Sequence, residues 1–192
     1  MISYADHRMN QGMNDPGKGF SLIEVLVTIV ILVIGLLGLA GLQFQALSSQ
    51  MESYQRTQGL VLAQDIVARI NDNRINAASY VTATPLGTGA TSCTTTGAGV
   101  AGDLCDWNNE LLGAAEVSSS SQNVGAMIGA RGCIYQLSAA ASGVPAQYLV
   151  AVAWQGLNPT KVPKVNCGQG SYGSNDALRR VITLPLSIAI LL

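Results

Sequence analysis

Histidine is almost missing from these 192 residues: His7 is the only one. Once the polar stretch that contains it is removed, as argued below, no imidazole remains. That excludes Ser-His-Asp and Cys-His catalysis and His-ligated metal sites. Charge is scarce as well, at 11% of residues and a formal net charge of −1. Apart from Arg179-Arg180 and the pair Lys161 and Lys164, the basic residues are scattered rather than striped, so nucleic acid is not expected as a partner. The four cysteines, Cys93, Cys105, Cys133 and Cys167, lack the short paired spacing of a four-cysteine zinc site. No catalytic, cofactor-binding or metal-binding residue is therefore expected. Asp103, Asp106 and Glu110 form the one dense acidic cluster, and they read as solvated loop charge more simply than as the carboxylates of an anchored hydrolase.

What the chain has instead is one long apolar run. Mean hydropathy is +0.32, pulled up by residues 25–42 (VLVTIVILVIGLLGLAGL), which carry no charge, and uncharged sequence continues to Met51. Eighteen residues at about 1.5 Å each nearly match a hydrocarbon layer of roughly 30 Å. Residues 1–19 ahead of the run are polar, with Asp15-Pro16-Gly17 as a breaker, and do not read as folded structure. The first basic residue after the run is Arg56, which favours an N-in orientation. All four cysteines then lie on the exported side, where an even count suits an oxidising compartment.

Helical spacing continues past the membrane segment. Phe44, Leu47, Met51 and Tyr54, then Leu62, Ile66 and Ile70, predict a single helix over about 21–73, with one apolar stripe for a globular head to cover from about Phe44 to Ile70. Gly35, Gly38, Gly41 and Gly59 are its weak points, and the G-x-x-G-x-x-G run also permits close helix approach in a membrane. Residues 76–129, rich in Thr, Ser, Gly and Ala, read as a long surface loop with a short helix over 106–112. Strand patterns follow at 132–137, 148–155 and 180–191, the last an edge or bulged strand because Pro185 cannot donate to a ladder. Of three possible disulfide connectivities the sequential one is adopted. Cys93–Cys105 would pin the loop, and Cys133–Cys167 would tie the first strand to the connection between the other two. Trp107 and Trp154 are read as core residues.

The informative string is Lys18-Gly19-Phe20-Ser21-Leu22-Ile23-Glu24-Val25, because it begins the apolar run. An ordinary secretory signal is cut after its apolar region, at small residues. A cut between Gly19 and Phe20 would leave the apolar helix on the mature protein. Glu24 is a residue that a plain anchor would not contain, since a carboxylate at the bilayer centre costs about 2.5–3.5 kcal/mol. The bland reading is a tolerated interfacial glutamate. The sharper one is pairing with the free α-amino group of Phe20 in a neighbouring subunit, which would select axial register, because a mismatched subunit leaves both charges unpaired.

GFSLIEVLV followed by an uninterrupted apolar helix resembles the class III signal of type IV prepilins and type II secretion pseudopilins. The resemblance covers residues 18–50. It implies cleavage by a prepilin peptidase between Gly19 and Phe20, N-methylation of Phe20, and Glu24 as the assembly carboxylate. It also implies an α+β type IV pilin fold: one long N-terminal helix packed on a small antiparallel sheet with a disulfide-pinned loop. The domains would be a leader (1–19), a transmembrane assembly helix (20–43) and a periplasmic head (44–192) made of helix (44–73), loop region (76–130) and sheet (131–192). Expected partners are other minor and major pilins, the inner-membrane assembly platform and the lipid bilayer, first at the inner membrane and then in a surface pilus. More weakly, Cys105-Asp106-Trp107 after a Ser/Thr/Gly-rich loop, Val152-Ala153-Trp154 ending a strand and the final apolar strand are similar to minor pilins of the PilV type. Major pilins usually carry a mid-helix proline and a cysteine pair around the last strand. Here Gly41 lies in the proline's region and 25 residues follow Cys167, which favours a minor subunit. A minor pseudopilin and a membrane-anchored binding module are the competing readings.

Overall fold

Leucine, valine and isoleucine dominate the first half of α1 (Leu22–Asp72), and backbone pairing within a helix satisfies every peptide group that such a run would otherwise leave bare. The computed structural model describes residues 19–89, 93–94, 97–113, 118–120, 123, 125 and 127–189. Residues 1–18 of the expected leader, the end of the last predicted strand at 190–191 and parts of the Ser/Thr/Gly-rich stretch lie outside them. Two compact units divide the chain, Met1–Gln45 and Ala46–Leu192.

In the first unit the helix is exposed along its length; Leu36, for example, is 64% accessible. Thr28, the one hydroxyl of the run, turns its Oγ1 back to the Val25 carbonyl at 2.8 Å, so that it presents no unpaired donor. A Cβ at Gly35, Gly38 or Gly41 would meet nothing within 4 Å.

In the second unit the same helix buries Gln55, Gly59, Ala63, Ile66 and Ile70, spaced four, four, three and four apart. This corrects the stripe read from the sequence: Phe44, Leu47, Met51 and Tyr54 are all at least half exposed. The covered face starts at Gln55 and uses small residues, because the sheet approaches closely there. A Cβ on Gly59 would stand 3.2 Å from Cζ3 of Trp154.

The sheet is antiparallel, in the order β1 (Arg131–Ser138), β2 (Ala146–Gln155), β3 (Arg179–Ile188). Pro185 pairs with Leu149 on the edge strand β3. Central β2 is buried on both faces, and its alternation shows why. Tyr148, Val150 and Val152 join Ile66, Ile70 and Trp107 in the main core. Ala151 and Ala153 face a second, smaller core with Cys133, Cys167 and Tyr172.

The stretch 76–129 is less of a loop than its composition suggests. A 3₁₀ helix, Arg74–Tyr80, opens it, and α2 (Val100–Leu111) begins six residues before the predicted 106–112 and ends one residue earlier. Gly102 hid this start, since glycine is a poor helix former, yet here a Cβ would stand 1.8 Å from the Gly97 carbonyl oxygen. Trp107 and Leu111 of α2 are buried and complete the main core.

Cys93 is bonded to Cys105 (Cα–Cα 5.7 Å) and Cys133 to Cys167 (Cα–Cα 5.8 Å). The β2–β3 connection is also gathered by Arg179, which is 1% exposed and donates to the carbonyls of Pro163 and Cys167 at 3.0 Å each and to that of Val165.

Candidate functional site

Gly19 and Phe20 precede α1, and Phe20 is 83% exposed. The helix starts on the Ser21 carbonyl, which accepts from the backbone N–H of Glu24 at 3.0 Å and of Val25 at 3.3 Å. Glu24 therefore sits in the first turn, where the helix dipole favours a carboxylate. Its side chain is exposed and joins no ion pair among the described residues. By length and composition α1 is long and apolar enough to cross a membrane. The structure thus places an accessible Gly-Phe junction and a solitary carboxylate at the mouth of an uncovered apolar helix. Chemically this arrangement offers a peptide bond to a protease and an anion to a cation brought by another molecule.

The acidic cluster corrects the reading of solvated loop charge. Asp103, Asp106 and Glu110 lie on one face of α2, and with Asp65 they surround Arg69 of α1. The Arg69 guanidinium stands 2.7 Å from Asp65, 3.1 Å from Asp106, 2.9 Å from Glu110 and 3.8 Å from Asp103. Burial works against the Arg69 cation, but the hydrogen bond and charge of Asp65, with Glu110 and Asp106, outweigh it and hold its pKa above the ordinary value. Burial also pushes the Glu110 carboxyl above the usual range, as does the Asp65 charge, and Arg69 only partly opposes them. Tyr80 is raised by burial and by its hydrogen bond to Asp103. No group of three or more His, Cys, Asp or Glu among the described residues is arranged to hold a metal ion.

Two further anchoring contacts escaped the sequence reading. Glu52 Oε1 accepts from Arg180 Nη2 at 3.1 Å and from the backbone N–H groups of Leu157 and Asn158 at 3.2 and 3.3 Å, which fastens the β2–β3 connection to α1. Trp107 Nε1 donates to the Leu62 carbonyl at 2.9 Å and seats α2 on α1. The i, i+4 spacing of Asp65 and Arg69 hinted at their pairing, but nothing local points to Arg180 or Leu62 as partners.

Two comparisons bear on this geometry. The family model for the prokaryotic N-terminal methylation motif matches residues 17–40, which carry Gly19, Phe20 and Glu24. The family model for type IV pilin Tt1218 matches residues 41–109, which carry Arg69, Trp107 and the Cys93–Cys105 disulfide. No curated protein and no solved structure matches the chain. Families of this kind are structural, and membership implies processing by a prepilin peptidase, anchoring by the N-terminal helix and assembly with other pilins. Carrying both matches in tandem, on a long N-terminal helix followed by a three-stranded antiparallel sheet and two disulfides, the chain is a type IV pilin-like protein with a class III signal.

Proposed function

We propose that this protein is a minor pilin of a type IV pilus. Prepilin peptidase cuts the bond between Gly19 and Phe20 while residues 1–19 face the cytoplasm, and the new Phe20 amino group is methylated. Residues 20–43 hold the mature chain in the inner membrane, with residues 44–192 on the periplasmic side. The subunit then leaves the bilayer for a fibre, in few copies at the tip or in an initiation complex with other minor and major pilins. There it promotes pilus assembly, twitching motility and adhesion.

One observation carries the reading: Glu24 sits at the entrance to an exposed apolar helix with no ionic partner among the described residues. A carboxylate in that position is costly in lipid unless assembly supplies a cation. The Phe20 α-amino group of a neighbouring subunit is such a cation. Only a subunit in the right axial register brings the two together. The test is to express Glu24→Ala and Glu24→Gln proteins in cells lacking the native copy and to quantify them in sheared pili and in membranes. Normal membrane levels with at least a tenfold loss from pili are expected. Wild-type incorporation of Glu24→Ala would refute the register role.

A further inference from the structure

At the end of the sheet, β1 loses its cover. Along its outer edge Gly132 exchanges both backbone hydrogen bonds with Leu86, at 3.1 and 2.8 Å. Two residues on, Ile134 accepts from the Thr82 N–H and donates to Thr82 Oγ1, each at 3.0 Å. Alternation in an antiparallel pair places the next outward-facing N–H and C=O on Gln136. There the covering chain has already turned into the 3₁₀ helix Arg74–Tyr80, and no described residue bonds the Gln136 backbone on that side.

The gap between them is a groove of about 480 Å³, within the range of ligand pockets. Its floor is the end of the main core, Ala146, Tyr148 and Ile188, and its walls include Ala78 and Ala140. Its one charged lining residue is Arg74, which is exposed and joins no ion pair among the described residues. Ile75 beside it is 94% exposed, and Leu137 on the strand edge is 62% exposed. An unpaired strand edge, an apolar slot beside it and a lone cation at the rim make a consistent set of demands on an occupant.

We propose that this groove is a docking site for an extended apolar peptide segment of a partner protein that carries a carboxylate. The segment adds to the β1 edge at Gln136, sets alternate apolar side chains against Tyr148 and Ile188, and directs its carboxylate to Arg74. Main-chain pairing sets its direction, and the guanidinium selects an acid over a neutral end. The inference is independent of the reading of the N-terminal helix.

The test uses the full chain in detergent micelles and two fluorescent, N-acetylated six-residue peptides of alternating valine and threonine ending in leucine, one a free acid and one an amide. Fluorescence polarisation should show saturable binding of the acid and binding of the amide about tenfold weaker, as expected for loss of a charge-assisted contact. Arg74→Gln should bring the acid down to the level of the amide. Ala140→Trp, an exposed position that leaves the core intact, should abolish both. No saturable binding up to about 1 mM, or binding indifferent to Ala140→Trp, would overturn the proposal. So would displacement of the peptide by equimolar dodecanoate, which would assign the groove to a lipid. Binding that appears only after deletion of residues 190–192 would give the groove to the chain's own next residues and would equally overturn it.

Discussion

The indole Nε1 of Trp107 donates to the Leu62 backbone carbonyl at 2.9 Å, across 45 residues of sequence, and that contact ties α2 to α1. The ring is fully buried and lies over Gly132, where a Cβ would come within 2.4 Å of Cη2 and within 2.6 Å of Leu111 Cδ1. The glycine is needed because the ring cannot retreat without giving up its hydrogen bond. Gly132→Ala should therefore lower stability by about 2–3 kcal/mol through overpacking, measured by denaturant unfolding in detergent. Gly41→Ala, whose Cβ meets nothing, should not lower the midpoint.

Arg69 is the counterweight to four carboxylates. Arg69→Met leaves Asp65, Asp103, Asp106 and Glu110 facing one another and should cost about 1–2 kcal/mol at pH 7 and low salt. The raised Glu110 pKa means that the folded protein holds that proton more tightly than the unfolded chain does. Its stabilising effect is thus present in acid and is lost as pH rises from the ordinary carboxylate range through the raised value. Thermal melts should show the Arg69→Met deficit narrowing in about 1 M salt and on mild acidification. A deficit independent of both would mean that the side chain acts by packing alone.

Tyr172 controls the alkaline limit. Burial pushes its phenol up to about 12, against the favourable charges of Arg131 and Arg179, and its hydroxyl donates to the Gly129 carbonyl at 2.7 Å. A raised folded pKa leaves stability intact below pH 10 and removes it as pH rises from the unfolded value through the folded one, on the order of 2 kcal/mol in all. Tyr172→Phe should lose about 1 kcal/mol at pH 7 for the missing hydrogen bond and fall less steeply above pH 10. The raised pKa values of Tyr80 and Tyr135 leave a residual slope. Equal slopes in the two proteins would contradict the assignment.

The two disulfides constrain different lengths of chain. Their sequence separations are 12 and 34, worth about 3 and about 4 kcal/mol as loop-closure entropy. Cys133 and Cys167 are also buried in the second core, so the Cys133→Ala/Cys167→Ala protein should be the less stable of the two double variants. Urea midpoints compare them directly. A lower midpoint for the Cys93→Ala/Cys105→Ala protein would reverse the ranking.

Period and composition carried much of the fold into view. The ends of α1 lie within a residue of those expected, the three strands were found by alternation, and Pro185 marks an edge strand as the missing N–H requires. The string around Gly19, Phe20 and Glu24 was legible because its position before the apolar run, and its isolated carboxylate, are local features. Of the covered face of α1, Ile66 and Ile70 were legible and the part before them was not. Gln55, Gly59 and Ala63 are too small or too polar to score as a stripe, and they are buried because Trp154 and the sheet come close. The start of α2 was hidden by Gly102, while the contacts of Arg69 with α2 and the Glu52–Arg180 bond join residues 34 to 128 apart, which no window of sequence contains.

The proposed function rests on cleavage of the Gly19–Phe20 bond and on assembly of the mature chain as a subunit. Its most direct test is the N-terminal residue of the mature protein, by mass spectrometry of membranes from cells with and without prepilin peptidase. An N-methylated Phe20 terminus that disappears when the peptidase is removed is expected. An intact Met1 in peptidase-positive cells, or a terminus beyond Leu42, would contradict it.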